Sequence, residues 1–152
     1  MDVKVLEGTN LEDSFNIDEV VNIKENCVAE EFLWQAGKYV RYATLLAHAK
    51  IRVQRAKLAL EVIEAELDTQ VRVKGVTAGT KLTESAIHNT IVALTEYQTA
   101  CAFVIKAKED EEILSGVVNA LAQRKDMLMA YGSLLKAEAV AKVGLMNMPK
   151  GG

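Results

Sequence analysis

The chain has 152 residues, half of them hydrophobic, with a net charge of −3, nine glycines and one proline. This length fits one domain, and so few prolines and aromatic residues exclude folds rich in β-strands and tight turns. No run of about 18 apolar residues exists, so the sequence predicts no membrane-spanning helix and no membrane partner. Cys27 and Cys101 are too far apart for a metal-binding or redox motif. Two such thiols are typical of a reduced, intracellular protein, so we expect a cytoplasmic location.

Residues 1–28 are predicted to form an acidic, partly flexible arm. Residues 1–31 contain nine acidic residues against two basic ones, a net charge of −7, whereas residues 32–152 carry +4. A helical apolar pattern begins only near Ile17, where Asp18 can cap a short first helix. A segment this acidic resembles a polyanion, so we expect it to occupy the basic remainder of the chain or to dock on a basic partner.

The strongest predicted element is a long helix over residues 29–73. Apolar or small residues recur in it at steps of three and four, the heptad pattern of a helix that packs lengthwise on another helix. We call these nine positions the seam: Tyr39, Tyr42, Leu46, Ala49, Val53, Ala56, Leu60, Ile63 and Leu67. Other apolar residues lie off the seam, and self-association would cover them. They include Leu45, Ile51, Leu58 and Val62.

A connection with a short helix is predicted over residues 74–95. Two glycines, Gly75 and Gly79, interrupt the helical pattern there. Thr83 followed by Glu84 then has the N-cap and the first-turn acid that begin a helix.

A second long helix is predicted over residues 96–146, and residues 147–152 are predicted to be a flexible tail. The Thr-x-x-Gln spacing from Thr95 to Gln98 is that of a capping box at its start. The sequence therefore predicts an all-α fold. Its single domain, residues 29–146, is a long antiparallel helical hairpin that self-associates through helical packing.

Residues able to carry catalysis are few and scattered. His48 and His88 lack neighbours at metal-ligand spacing, and the sequence has neither a phosphate-binding loop nor a nucleophile elbow. The acidic run from Glu109 to Glu112 points around most of a helix, as a solvated surface does. We therefore predict a non-enzymatic protein with no catalytic residue, metal site or cofactor.

The basic part of the first long helix is the strongest functional signal. Residues 37–60 contain six basic residues and no acidic one. Lys38, Arg41, His48, Arg52 and Arg55 form a stripe about 100° from the seam. Such a line of cations matches a nucleic-acid backbone, because each one neutralises a phosphate and releases counterions. An ordinary solvated helix face would look similar.

Further basic residues widen this region, because Lys57 lies on the opposite flank and three more lie near the connection. Tyr39 and Tyr42 would either stack on unpaired bases or pack in the core. We predict nucleic-acid contacts at eight positions: Lys38, Arg41, Arg52, Arg55, Lys57, Arg72, Lys74 and Lys81.

Several residues of the second half resemble a family of phage proteins. The segment Lys81-Leu82-Thr83-Glu84-x-x-Ile87, followed by Tyr97, Ala107, Ala120, Arg124 and Leu128, is similar to small helical recombination mediators of the UvsY type. Over about residues 30–145 the order of parts is similar: a basic first half, a helix that starts at Thr-Glu, and a long second half. The acidic N-terminal arm, however, is longer than in the shorter family members. The resemblance implies single-stranded DNA binding, ring-like oligomerisation and contacts with a recombinase and a single-strand-binding protein.

The sequence thus favours a non-catalytic accessory protein of recombination or replication that binds single-stranded DNA as a homo-oligomer. Its location would be the host cytoplasm if it is of phage origin. The alternative is a structural or scaffolding helical protein, such as a phage assembly component or a coiled-coil adaptor. In that case the basic stripe meets an acidic protein surface.

Overall fold

The computed structural model describes residues 16–146, which are helical except for short connections. Residues 1–15 of the predicted acidic arm and the predicted tail, residues 147–152, lie outside the described residues. The helices are α1 (Ile17–Val21), α2 (Val28–Thr77), α3 (Glu84–Val92) and α4 (Thr95–Met146), with a 3₁₀ turn at Glu25–Cys27 before α2.

Helices α2 and α4 pack against each other along their lengths as an antiparallel hairpin, which confirms the predicted all-α fold. At the closed end, Leu67 and Val71 of α2 form an apolar cluster with Ile87 and Ile91 of α3. Midway, α2 packs on the middle of α4 through a second cluster, whose buried members are Tyr42, Ala49, Leu114, Val117 and Leu121. At the open end, the Gln35 amide donates to the Leu121 carbonyl at 2.6 Å.

The seam faces α4, as the heptad pattern predicts. Of its nine residues, those from Tyr42 to Leu67 are buried or half-buried, whereas Tyr39 is 41% exposed. The 3.5-residue period keeps one face of α2 against its partner for about seven turns, so burial follows the sequence spacing closely.

Most of the apolar residues off the seam remain uncovered. Leu45 packs against the midway cluster, but the other three predicted off-seam residues are exposed. Together with two exposed residues nearer the start of α2, they form an apolar line on the side opposite the seam, which we call the outer stripe. Its members are Leu33, Val40, Ile51, Leu58 and Val62, each between 45% and 81% exposed.

The connection differs from its prediction, because α2 continues four residues beyond Val73 to Thr77. Gly75 lies inside the helix and does not end it. Its lack of a side chain leaves room for Leu82, which packs against it. A Cβ there would meet Leu82 Cδ1 at 2.5 Å. The helix ends at Thr77 instead. Gly79, two residues later, has a φ of +67° that suits glycine, and the Thr80 N–H donates to the Gly75 carbonyl at 3.0 Å.

The start of α3 is capped as the sequence predicts, because the Thr83 hydroxyl accepts from the Ala86 N–H at 3.2 Å. Helix α4 then extends past the start of α2, and Gly132 faces the ring of Phe32 near that point. The part of α4 beyond Gly132 carries exposed apolar residues. These are Leu134, Leu135, Val140 and Val143.

Candidate nucleic-acid interface

Four residues of the predicted basic stripe share one flank of α2. Arg41, His48 and Arg55 follow one another at seven-residue intervals, and Arg52 lies one turn from His48. Since seven residues bring a helix back to nearly the same direction, these side chains line one side over about 21 Å. We call Arg41, His48, Arg52 and Arg55 the basic flank. Within residues 16–146, neither Arg41 nor Arg55 forms an ion pair, and both are exposed.

Arg52 differs from its neighbours because it faces a buried carboxylate of α4. Its guanidinium lies 3.7 Å from Asp110 Oδ2, and the Lys106 amine lies 3.8 Å from Asp110 Oδ1. The Asp110 side chain is only 9% exposed, so these two cations supply the positive charge around it. Arg52 therefore joins the two long helices as well as contributing charge to the flank.

Lys38 and Lys57 lie away from the basic flank. Lys38 turns towards the core, where its amine contacts the Glu31 carboxylate at 3.5 Å. Lys57 lies on the opposite side of α2, in a shallow groove that also contains Lys108 and two acidic residues of α4, Glu111 and Glu112.

The three predicted contacts near the connection form a separate group. Arg72 is held by Asp68 at 2.7 Å and by both oxygens of Glu84 at 2.7 and 2.9 Å. These hydrogen bonds, that of Glu84 above all, raise the pKa of Arg72 further, so its charge is permanent. Lys74 and Lys81 are exposed nearby.

An acidic groove adjoins this group, because acidic side chains of α2 and α3 line the surface beside Arg72. They are Glu61, Glu64, Asp68 and Glu84. The eight predicted contact residues therefore do not form one continuous surface, and three of them, Arg41, Arg52 and Arg55, lie together.

The aromatic residues near the basic region do not share one surface either. Tyr42 is 5% exposed in the core, so its ring packs on α4 and is not open to a base. Tyr39 is 41% exposed but points about 160° away from Arg41. Trp34, which the sequence interpretation missed, is 66% exposed and lies seven residues before Arg41. Its heptad spacing from Arg41, His48 and Arg55 was the available signal.

A buried polar network at the open end was also missed. Arg124 is 2% exposed and donates to the Val21 and Asn22 carbonyls, both at 3.1 Å. It also donates to the side chains of Gln35 and Glu31. This Arg124 network fastens the segment before α2 to both long helices, so residues 16–27 are packed on the hairpin.

Burial raises the pKa of Glu31, but hydrogen bonds and positive charge from Arg124 and Lys38 outweigh that effect and hold it below its usual 4.5. The sequence signal for the network was spacing. Counted back from the buried Tyr42, Lys38, Gln35 and Glu31 follow at steps of four, three and four. Arg124 lies between the buried Leu121 and Leu128 at steps of three and four.

The residues that carry the phage-mediator resemblance lie mostly at structural positions. Thr83 caps α3, Glu84 pairs with Arg72, and Ile87, Arg124 and Leu128 are buried. The resemblance therefore rests on residues that position helices, whereas the basic flank lies elsewhere in the chain.

Across residues 16–146, no three histidine, cysteine or acidic side chains come together as a metal site would require. None of the described helices is long and apolar enough to cross a membrane. Searches of protein-family models, of curated proteins and of solved structures found no match for this chain.

Proposed function

We propose that the protein is a non-catalytic, self-associating helical protein that binds single-stranded DNA as an accessory factor of recombination or replication. The observation that carries the proposal is the basic flank, with Arg41 and Arg55 exposed and unpaired within residues 16–146. Cations spaced along a rigid helix suit a phosphate backbone, because they contact it without sequence preference. All eight contact positions stay predictions: Lys38, Arg41, Arg52, Arg55, Lys57, Arg72, Lys74 and Lys81.

Self-association is supported by the outer stripe. Its five residues follow a heptad-like spacing on the side of α2 that α4 does not cover. Two apolar lines on opposite sides of one helix are typical of a helix packed between two neighbours, and an exposed apolar line of this length is unusual in a monomer. Repetition of the basic flank across copies would multiply the phosphate contacts.

The place of the protein in recombination rests on the resemblance to mediators of the UvsY type. A mediator of this kind would contact a recombinase and a single-strand-binding protein, and both remain proposed partners.

Salt-dependent binding to a labelled oligothymidine tests the proposal. We expect the affinity to fall as salt rises from about 50 to about 200 mM, with a log–log slope near −0.7 for each phosphate contacted. A polyglutamate of matched charge serves as the control for an acidic protein surface. Absence of salt-sensitive binding to the oligonucleotide at about 50 mM salt would refute the proposal.

The second candidate is a structural or scaffolding protein, which the outer stripe and the exposed apolar end of α4 favour. In this alternative the oligonucleotide does not bind, whereas self-association persists and polyglutamate occupies the basic flank. The same titrations therefore distinguish the two candidates.

A further inference from the structure

Trp34 is the single tryptophan of this chain, and it lies on the same line as the basic flank. Trp34, Arg41, His48 and Arg55 are spaced at intervals of seven residues. Successive members are about 10.5 Å apart and face nearly the same direction. Since Trp34 is 66% exposed, its indole lies open to solvent at the N-terminal end of a row of cations.

Helix packing does not account for this position well. The outer stripe runs through Leu33 and Val40, each one residue before Trp34 or Arg41 and about 100° away from it. A partner helix centred on the line of Trp34 would also have to bury Arg41 and Arg55. Desolvating unpaired charges is costly, so a polar ligand with an aromatic face fits this line better.

We propose that Trp34 stacks on an unpaired base of the strand whose phosphates lie along Arg41 and Arg55. The proposal rests on the proposed function and deepens it, because a ring that needs a free base face selects single strands over duplexes. Base–aromatic stacking tolerates any sequence, which agrees with non-specific binding. Arginines hold the backbone, and the indole holds a base.

Intrinsic fluorescence tests the proposal directly, because the chain has no tryptophan besides Trp34 and every change in indole emission reports on it. We expect oligothymidine to quench the emission to saturation, with the same concentration dependence as anisotropy of a labelled oligonucleotide. A duplex of equal length and an abasic oligonucleotide of equal charge should quench far less.

Substitution supplies the second measurement. Trp34→Ala should weaken single-strand binding by about 5- to 150-fold, the range expected for the loss of one stacked base. The slope of log affinity against log salt should stay unchanged, because no phosphate contact is lost. Trp34→Phe should recover most of the affinity. Tyr39→Ala is the matched control, since Tyr39 is an exposed aromatic on the other side of α2, and it should bind like the parent.

The outcomes separate this inference from the proposed function. If Trp34→Ala binds like the parent while Arg41→Ala and Arg55→Ala weaken binding, the stacking role is wrong and the phosphate track stands. If the tryptophan emission changes with protein concentration but not on addition of the oligonucleotide, Trp34 belongs to a self-association surface and the inference is also wrong. If the parent shows no salt-sensitive binding, both the inference and the proposed function fail.

Discussion

Arg124 is a charged side chain at the centre of the open end of the hairpin. It carries four hydrogen bonds, two to backbone carbonyls and two to the side chains of Gln35 and Glu31. A buried cation of this kind is tolerated because its donors are satisfied. Removal of one member therefore leaves the other groups buried without partners, which costs more than the intact network contributes.

We expect Arg124→Ala to lower the free energy of unfolding by about 3 kcal/mol or more, because Glu31 and two carbonyls would lose their donor. Urea denaturation followed by circular dichroism measures the change. Lys125→Ala is the control, since the Lys125 side chain is 61% exposed and its ion pair is with its neighbour Asp126. Equal stability of the two variants would show that the network contributes little.

Glu31 makes the network sensitive to acid. Because its pKa is lowered in the folded chain, its carboxylate stabilises the fold above the usual value of 4.5. That contribution is lost as the pH falls through the lowered pKa. The difference in unfolding free energy between the parent and Glu31→Gln should therefore be constant at neutral pH and shrink below about 4.5. A difference that stays constant into strong acid would contradict this role.

Among the elements, the N-terminal segment is tied to both long helices of the hairpin. Val20 packs against the midway cluster, and the carbonyls of Val21 and Asn22 accept from Arg124. Val20, Val21 and Asn22 are therefore fixed on the hairpin, and residues 1–15, which include four acidic residues, precede them in the chain.

Deletion of residues 1–15 should tighten oligonucleotide binding, because four acidic residues and one lysine are removed while the Arg124 network is kept. Anisotropy titrations at low salt compare this variant with the full chain. A full-length variant with Asp2, Glu7, Glu12 and Asp13 changed to their amides is the matched control and should bind like the deletion. Unchanged or weaker binding by both would exclude competition and leave docking on a basic partner.

The two long helices were predictable from the sequence, but the residues at which they end and the partners of their charged side chains were harder to predict. The unbroken seam identified α2 because burial there follows a strict period, and the Thr83 cap identified the start of α3. Gly75 misled the prediction, because its tight contact with Leu82 depends on a residue seven positions later. Which basic residues pair with acids could not be read from α2 alone, since Asp110 and Glu84 come from other helices.

For the whole molecule, the outer stripe predicts self-association. Leu58→Lys should shift sedimentation towards the 16.6 kDa monomer, because a charge would then lie in the apolar contact. Ile105→Lys is a matched control on the outer side of α4, where Ile105 is 68% exposed among charged residues. A parent protein that sediments as a monomer at micromolar concentration would contradict the architecture proposed for the oligomer.

The basic flank is proposed to follow a phosphate backbone. Arg41 and Arg55 test it better than Arg52, because a change at Arg52 would also leave Asp110 with one cation fewer. Surface changes at the two exposed arginines should cost less than ~0.5 kcal/mol in stability, so altered binding would reflect the contact itself. Glu109→Ala and Glu112→Ala are the charge controls and should bind like the parent or slightly more tightly.

The decisive measurement is the slope of log affinity against log salt for a labelled single strand. Each of Arg41→Ala and Arg55→Ala should flatten the slope by roughly 0.7, and the double variant by roughly 1.4, equally across sequences. Parent-like slopes in the double variant, or a parent that shows no salt-sensitive binding, would rule out phosphate contacts at the basic flank.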